Sequence, residues 1–310
     1  MTTEPDKMNK QAECAAELYA NPLFVEDVSD CFFYHTIDLP GVGVQTGEWD
    51  LRGDFDQYVG NVSFTGKRVL DVGCGTGFLS FSAEHAGARE VVSFDMDDSR
   101  RQHLLPFHTK LPFTSPAEWH ALHNERLHQW RNAYWLSHRL NGSRAKVIYG
   151  DVYNFPVAAG QFDLVLVCSI LEHLSDPIRA LASISRVAAS ELVITGPLLE
   201  TDERIAHLET ESSQPDLDYK WWIYSRGVYV HVLRMLGFEI TSISYGRYKF
   251  VVGNLLDQRA TIVAKRGAAI GRLSPGFAAA RPGEPFAKTP LRRAARRAKQ
   301  MLMRIPAFKR

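Results

Sequence analysis

The stretch VLDVGCGTGFLS, from Val69 to Ser80, decides the fold. It opens with a short apolar run typical of a buried β-strand, and a turn with glycine at positions 73, 75 and 77 leads from there into a helix. Glycine permits positive φ angles and leaves room for a ligand where a Cβ would clash. A turn of this kind after the first strand of an α/β sheet is where such folds bind nucleotide-like ligands.

The alternation of strand and helix continues on both sides of this turn. Helices are predicted over 53–60, 78–88, 177–189 and 226–238, and a further helix begins within 97–105. The strand over 162–169 is apolar throughout, which indicates a central position in the sheet. The pattern predicts an α/β fold with a doubly wound, mostly parallel seven-stranded sheet, with strands at 67–72, 90–95, 146–151, 162–169, 191–196, 239–246 and 258–265.

Three segments surround or interrupt this fold. Residues 1–60 are predicted to form an N-terminal cap, which includes a short helix at 8–20, and residues 61–265 form the main domain. The gap before the third strand is too long for an ordinary crossover, so residues 106–145 are predicted to be a helical insertion. Its helix over 114–140 opens with Ser115 and Pro116, a typical N-cap and first-turn pair. Residues 266–310 read as a Gly, Ala and Pro-rich linker followed by an amphipathic helix.

Composition excludes several classes of protein. The chain has 310 residues, of which 45% are hydrophobic and 23% charged, values that rule out a disordered, collagenous or coiled-coil protein. No apolar run approaches the roughly 18 residues of a membrane span, and no signal peptide is apparent, so a cytoplasmic location is expected. The four cysteines are too few and too scattered for a disulfide framework or a zinc cluster: Cys14, Cys31, Cys74 and Cys168.

The net charge of +1 hides an asymmetry along the chain. Residues 265–310 carry 13 basic residues and one acidic residue, whereas the first 264 residues carry 23 basic and 34 acidic residues. A basic tail of this kind can bind RNA or an anionic membrane surface, or can be a solvated segment. Because it lies outside the main domain, it says little about chemistry, and nucleic acid is not the favoured partner.

The spacing of the glycines distinguishes between two kinds of ligand. A dinucleotide site uses G-x-G-x-x-G, but in that register Phe78 stands where a small residue belongs. The observed G-x-G-x-G, with Asp71 two residues ahead, favours a ligand without phosphates. The Asp71 carboxylate can accept hydrogen bonds from a cationic amino group, directly or through water.

At these positions the sequence resembles the class I S-adenosylmethionine-dependent methyltransferases, over roughly residues 60–265. The resemblance implies a Rossmann-like methyltransferase fold and S-adenosylmethionine as the cofactor. It implies that Asp95 accepts hydrogen bonds from both ribose hydroxyls, that Asp151 lies near the adenine amino group, and that the segment from Cys168 to His173 skirts the methyl donor. The cofactor-binding residues predicted in this way are Asp71, Gly73, Cys74, Gly75, Gly77, Asp95, Met96, Asp151, Val152 and Cys168.

A narrower resemblance concerns the segment that leads into the glycine turn. Residues 34–75 are similar to a subgroup that includes the tRNA wobble-uridine carboxymethyltransferase, in which a histidine and a tryptophan precede the cofactor motif. The long insertion departs from that enzyme, and no counterpart of its extended N-terminal RNA-handling region is expected here. Simple methylation is therefore expected rather than carboxymethyl transfer.

The acceptor is predicted to be a small-molecule or sugar-like metabolite, methylated on oxygen. Two histidines are candidate general bases, His173 just past the fourth strand and His35 in the cap. The candidate substrate-binding residues are aromatic side chains and one arginine: Tyr34, Trp49, Trp221, Trp222, Tyr224 and Arg226.

Several alternatives remain at this stage. The histidines in and beside the insertion lack a carboxylate set that would complete a site, so no metal is predicted. A tRNA-modifying enzyme, a noncatalytic S-adenosylmethionine-binding module and a nicotinamide dehydrogenase are the competing functions. The sequence leaves the oligomeric state open.

Overall fold

The computed structural model describes residues 18–103, 115–209 and 220–267. The greater part of the predicted helix at 8–20, the start of the insertion, Cys14 and the basic tail from residue 268 lie outside the described residues.

An eight-stranded mixed sheet forms the centre of the described molecule. Its strands are β3 (Trp49–Asp50), β4 (Arg68–Val72), β5 (Glu90–Met96), β6 (Lys146–Gly150), β7 (Phe162–Cys168), β8 (Ala188–Gly196), β11 (Phe238–Phe250) and β12 (Leu255–Arg266). They lie in the order β3-β11-β12-β8-β7-β4-β5-β6. Strands β4 to β8 run parallel to one another, whereas β12 pairs antiparallel with β8 and with β11, and β11 pairs antiparallel with β3. Two hairpins lie outside it: β1 (Ile37–Leu39) with β2 (Gly43–Gln45), and β9 (Ala206–Leu208) with β10 (Trp222–Tyr224).

The predicted α/β fold is confirmed, and all seven predicted strands are present. The eighth strand, β3, belongs to the predicted cap and has only two residues, too few to give a period in the sequence. The first strand of the alternating region, β4, lies between β5 and β7. The winding of the chain therefore reverses beside β4, and a reversal of this kind opens a crevice at the carboxyl ends of the strands.

Helices cover the sheet and are α1 (Phe55–Tyr58), α2 (Phe78–His85), α3 (Pro116–Leu140), α4 (Pro177–Ser185) and α5 (Arg226–Met235). Strand β7 is central as predicted, and its residues from Leu164 to Val167 are fully buried. The helix predicted to begin within 97–105 is only a 3₁₀ turn, Ser99–Arg101, in the described residues. Asp98 caps that turn by accepting a hydrogen bond from the Arg100 N–H at 2.8 Å.

The insertion helix α3 joins the core rather than projecting from it. Its start is capped as predicted, since Ser115 Oγ accepts a hydrogen bond from the Glu118 N–H at 3.1 Å. Tyr134 and Trp135, near its end, are 1% and 2% exposed and pack in a cluster with Phe81 and Leu39. The C-terminal half of α3 is thus held rigidly, and this fixes the position of its N-terminal half.

A buried hydrogen-bond chain ties α3 to the first strands of the sheet. The Tyr134 hydroxyl lies 2.7 Å from Ser93 Oγ, which lies 2.7 Å from Ser80 Oγ. Ser80 in turn donates to Asp71 Oδ2 at 2.6 Å. The chain links the insertion helix, β5, α2 and β4 directly beneath the glycine turn.

Candidate active site

A cavity of about 500 Å³ lies at the carboxyl ends of the parallel strands, where the fold predicts a ligand site. We sort the lining residues into two groups. The first, called here the donor half, comes from the ends of β4 to β7, the turns after them and α2: Val72, Gly73, Gly75, Leu79, Phe94, Asp95, Met96, Arg101, Gln102, Gly150, Val152, Cys168, Ile170 and Leu174. The second, called the acceptor half, comes from the segment before β3, from β3, α1 and α3, and from two residues after β7: Tyr34, His35, Glu48, Trp49, Tyr58, Leu122, His123, Glu125, Arg126, Gln129, Trp130, Ser169 and His173.

The glycine turn brings bare backbone to the donor half. Gly73 has φ +77°, and a Cβ there would meet Ile170 Cγ2 at 2.2 Å, so this glycine allows the loop after β7 to pack close. Gly75 has φ +54°, and a Cβ there would meet only the Tyr34 ring, at 3.9 Å. A side chain at position 75 would therefore project into the cavity. Gly75 leaves that space for a ligand.

Asp95 closes β5 with its carboxylate at the cavity surface. Oδ2 accepts a hydrogen bond from the Gly75 N–H at 2.7 Å, and Oδ1 accepts one from the Met96 N–H at 2.7 Å. Burial raises the pKa of Asp95, while these two N–H groups act in the opposite direction. A carboxylate oxygen can accept more than one hydrogen bond, so both oxygens retain capacity toward the cavity. The arrangement fits the two hydroxyls of a ribose, and with the gap at Gly75 it fits an adenosyl ligand.

Four predicted cofactor residues are not at the cavity surface in the structure. Asp71 is fully buried and bonded to Ser80, and burial raises its pKa to about 7. Its other oxygen, Oδ1, has no hydrogen-bond partner among the described residues, and its predicted contact with a cationic amino group, directly or through water, stays a prediction. Cys74 is also buried, and a Cβ on Gly77 would meet the Phe81 ring at 2.4 Å.

Asp151 is the fourth of these residues. Its carboxylate accepts hydrogen bonds from the Tyr153 N–H at 2.9 Å and from Asn154 Nδ2 at 2.6 Å, so it shapes the turn after β6. Val152, its neighbour, does line the cavity, together with the predicted residues Met96 and Cys168.

Four of the predicted acceptor and base residues line the cavity: Tyr34, His35, Trp49 and His173. His35 is 7% exposed, and its ring lies 4.8 Å from that of Tyr34 in a T-shaped arrangement. Burial lowers the pKa of His35 to about 3, so this imidazole is neutral at ordinary pH.

The predicted residues around β10 lie elsewhere. Trp221 and Trp222 donate their ring N–H groups to the carbonyls of His103 and Ser175, both at 3.0 Å, and so anchor the chain beside the loop after β7. The Arg226 guanidinium pairs with Asp202 at 2.7 Å. Tyr224 is buried against Tyr229. None of these four residues is among the described side chains that line the cavity.

Sequence reasoning missed much of the acceptor half. Leu122, Arg126 and Gln129 recur at spacings of four and three along α3 and share one helix face that lines the cavity. This spacing was the signal in the sequence from which their common position could have been predicted. Glu48 directly precedes Trp49 and is only 8% exposed. Nothing in its local sequence shows that β3 carries it to the cavity.

The insertion histidines have separate surroundings. His120 Nδ1 lies 2.9 Å from Ser99 Oγ, His123 stacks on Trp119 with ring centroids 4.5 Å apart, and His138 Nε2 lies 3.0 Å from the Ala145 carbonyl oxygen. Among the residues that the structure describes, no group of three or more His, Cys, Asp or Glu is placed to hold a metal ion. His108 lies outside the described residues.

Comparison with known proteins gives the family. A family model described as a methyltransferase domain matches residues 52–243. A ubiquinone biosynthesis O-methyltransferase of Aromatoleum aromaticum is 29% identical over 128 residues, which cover 41% of this chain and 42% of that protein. A histidine protein methyltransferase 1 homolog of Rattus norvegicus is 41% identical over 69 residues, which cover 21% of this chain and 18% of that protein. The matches thus span less than half the length of these curated relatives.

The solved structures to which the chain is similar are more distant in sequence. A magnesium protoporphyrin IX methyltransferase from Synechocystis with bound S-adenosylmethionine is 14% identical, with a TM-score of 0.43 over 70% of this chain and 78% of that chain. A Burkholderia thailandensis 1,6-didemethyltoxoflavin-N1-methyltransferase is 17% identical, with a TM-score of 0.41 over 70% of this chain and 77% of that chain.

The family match covers more than half of the chain, including the glycine turn, Asp95 and the loop after β7. These are the elements that form the donor half of the cavity. The chain therefore belongs to the methyltransferase-domain family, as a member of the class I S-adenosylmethionine-dependent methyltransferases.

Proposed function

We propose that the protein transfers the methyl group of S-adenosylmethionine to a hydroxyl oxygen of a small-molecule or sugar-like acceptor. The observation that carries the proposal is that Asp95, Gly75 and His173 all line one cavity. The donor is proposed to lie at Asp95 and Gly75, with its methyl group toward His173. The acceptor half is buried enough to enclose a small molecule, as the 7% exposure of His35 and the 8% exposure of Glu48 indicate.

When bound, S-adenosylmethionine supplies a methyl group already activated by its sulfonium. The task of the chain is then to orient an oxygen in line with that methyl group and to exclude water. Asp95, Gly75, Met96 and Val152 would hold the adenosyl part. The acceptor oxygen forms a bond to the methyl carbon as the carbon–sulfur bond breaks, and that electron pair remains on sulfur.

The hydroxyl proton needs an acceptor, and His173 is the residue proposed for this role. It ends the 3₁₀ turn Leu171–His173 and lines the acceptor half. His35, the other predicted base, is a weak proton acceptor, because burial lowers its pKa to about 3. His35 is proposed instead as a neutral group that contacts the acceptor.

The domain limits remain part of the proposal: a cap over 1–60, a main domain over 61–265 with the insertion at 106–145, and a basic tail over 266–310. The tail is proposed as a contact for an anionic surface rather than as part of the chemistry. A tRNA wobble-uridine modifier and a noncatalytic binding module are the competing functions. RNA binding that depends on the tail would favour the first, and S-adenosylmethionine binding without turnover would favour the second.

Labelled methyl transfer to fractionated metabolite pools tests the proposal. We expect transfer to small molecules but not to tRNA, and we expect His173→Gln to lower kcat/KM by about 10²- to 10⁴-fold, the usual contribution of a general base. The limb of the pH profile on which activity rises with pH should disappear in that variant. His231→Gln, on the exposed face of α5, is the matched control. An unchanged pH profile in His173→Gln would refute the role of this residue.

A further inference from the structure

We infer that the acceptor is a neutral ring with several hydroxyl groups, such as a pyranose, and that Glu48, Trp130 and His35 bind those hydroxyls. The inference rests on the proposed function, because it takes the acceptor half as the place where the methyl group is received. It assigns a substrate class and three specificity-determining residues to that half.

The first argument concerns charge. Glu48 and Glu125 offer carboxylates and Arg126 offers a guanidinium to the same half of the cavity. The Arg126 guanidinium lies 3.7 Å from the centroid of the Phe32 ring, which holds it in place. Glu48 and Asp95 would repel an anionic acceptor, and Arg126 would repel a cationic one. A wall that contains both a strong acceptor and a strong donor suits hydroxyl groups, which both donate and accept hydrogen bonds.

The second argument concerns buried polar atoms. Among the residues that the structure describes, neither Nε1 of Trp130 nor Nδ1 of His35 has a hydrogen-bond partner, and both side chains line the cavity. Buried polar atoms in proteins nearly always have partners, and an unmade hydrogen bond is costly. The indole N–H can only donate, whereas a neutral imidazole nitrogen can accept. Both nitrogens are buried, so each ring must turn slightly for its nitrogen to reach the cavity, and hydroxyl groups of a ligand then meet both requirements.

The third argument concerns the aromatic surfaces. Tyr34 and Trp130 lie with ring centroids 5.3 Å apart, and Trp49 lines the same half. Such rings offer large apolar faces to a ligand, and the C–H groups on one face of a pyranose form a matching apolar surface. A simple phenol would also pack against the rings, but its one hydroxyl would satisfy only one of the polar groups around it. Several hydroxyls on a ring satisfy them together.

Ligand-observed saturation-transfer NMR on the full-length protein, saturated with S-adenosylhomocysteine, tests the inference. The probes are methyl glycosides of glucose, galactose and mannose, the matching uronates and 2-amino sugars, and phenol. We expect saturable binding of at least one neutral glycoside and at least tenfold weaker binding of its charged analogues. Binding of phenol or of a uronate with no binding of any neutral glycoside would overturn the inference.

Two variants connect the binding to named atoms. Glu48→Gln keeps the shape but removes the charge, and we expect at least tenfold weaker glycoside binding, as for the loss of hydrogen bonds to a charged group. Trp130→Phe keeps an aromatic ring but removes the N–H, and about a fivefold loss is expected. Glu26→Gln, at an exposed position, is the matched control. Unchanged glycoside affinity in both test variants would overturn the assignment.

The two proposals fail in different ways. Failure of the protein to bind S-adenosylhomocysteine, or to transfer a methyl group to any small molecule, contradicts the proposed function. Binding of S-adenosylhomocysteine without binding of any neutral glycoside contradicts only the substrate class.

Discussion

At the scale of single residues, burial decides which predicted roles the side chains can fill. Asp71, His35 and Cys168 all come from the motifs that drew attention in the sequence, and all three side chains are buried. Asp71 and His35 are both buried, and burial raises the pKa of the first to about 7 and lowers that of the second to about 3. Burial likewise raises the pKa of the Cys168 thiol to about 12, so it is a small apolar wall residue rather than a nucleophile.

The low pKa of His35 predicts a dependence of stability on pH. An unfolded histidine takes up a proton below about pH 6.5, whereas folded His35 takes one up only near pH 3. The free energy of unfolding is therefore unaffected by His35 above about pH 6.5. It falls as the pH drops below that value, and the loss due to His35 is about 2 kcal/mol at pH 5. Urea unfolding at pH 7.5 and at pH 5 measures how much the free energy of unfolding falls between the two. We expect this fall to be smaller by about 2 kcal/mol in His35→Leu than in the unmodified protein.

Comparing the unmodified protein with His35→Leu cancels the effects of all other titrating groups on stability. Asp71 changes stability in the opposite sense over this range, because its folded pKa is raised, but it is present in both and cancels. His207→Leu, on the exposed strand β9, is the control and should behave like the unmodified protein. Equal losses in the His35 variant and the unmodified protein would show that His35 is protonated as readily in the fold as in water.

At the scale of elements, the loop after β7 is held by a buried ion pair. Glu172, 3% exposed, accepts a hydrogen bond from Arg259 Nη1 at 2.7 Å, and Arg259 also pairs with Asp257 at 2.7 Å. The Arg259 guanidinium lies 5.2 Å from the ring centroid of Trp49. One side chain from β12 therefore contacts both the loop that carries His173 and the strand that carries Trp49.

Breaking this pair from one side should be costly. Glu172→Gln leaves the Arg259 charge buried with one carboxylate partner fewer, and we expect the free energy of unfolding to fall by about 3 kcal/mol. Replacing both partners, as in Glu172→Leu with Arg259→Met, should cost much less than the sum of the single changes. Asp50→Asn, which removes the partner of the half-exposed Arg52, is the control and should change little. Additive costs in chemical denaturation would contradict the coupling.

The elements also show how far sequence reasoning reaches. Strands β4 to β8 have runs of apolar residues bounded by turn residues, and these periodic signals predicted them correctly. Strand β4 and the glycine turn after it predicted the donor half, because such a turn after the first strand of an α/β sheet is where these folds bind nucleotide-like ligands. Burial of Asp71 was not predicted, since the side chains that enclose it come from α2, β5 and α3 rather than from its neighbours in sequence.

The acceptor half was harder to predict for the same reason. Its charged acidic and basic residues come from two segments far apart in the chain, Glu48 before β3 and Glu125 with Arg126 on α3, and only the packing of the insertion helix brings them together. The aromatic segment around Trp221 was the more conspicuous signal in the sequence. In the structure those tryptophans donate hydrogen bonds to loop carbonyls and brace the site from outside.

At the scale of the whole molecule, the family fold carries the proposed donor site, and the strand β3 and the insertion helix α3 add the residues of the proposed acceptor site. Within the described ranges, every helix is too short or too polar to span a membrane. The proposed function requires that the cavity bind a phosphate-free adenosyl ligand at Gly75 and Asp95.

Isothermal titration calorimetry with S-adenosylhomocysteine on the unmodified protein and on Asp95→Asn addresses that requirement. We expect saturable heat from the unmodified protein, none from NAD, and at least tenfold weaker binding in Asp95→Asn, because hydrogen bonds to a charged acceptor would be lost. Asp56→Asn, at an exposed position on α1, should bind as the unmodified protein does. Heat from NAD in place of S-adenosylhomocysteine, or equal affinity in Asp95→Asn, would contradict a donor site built on this carboxylate.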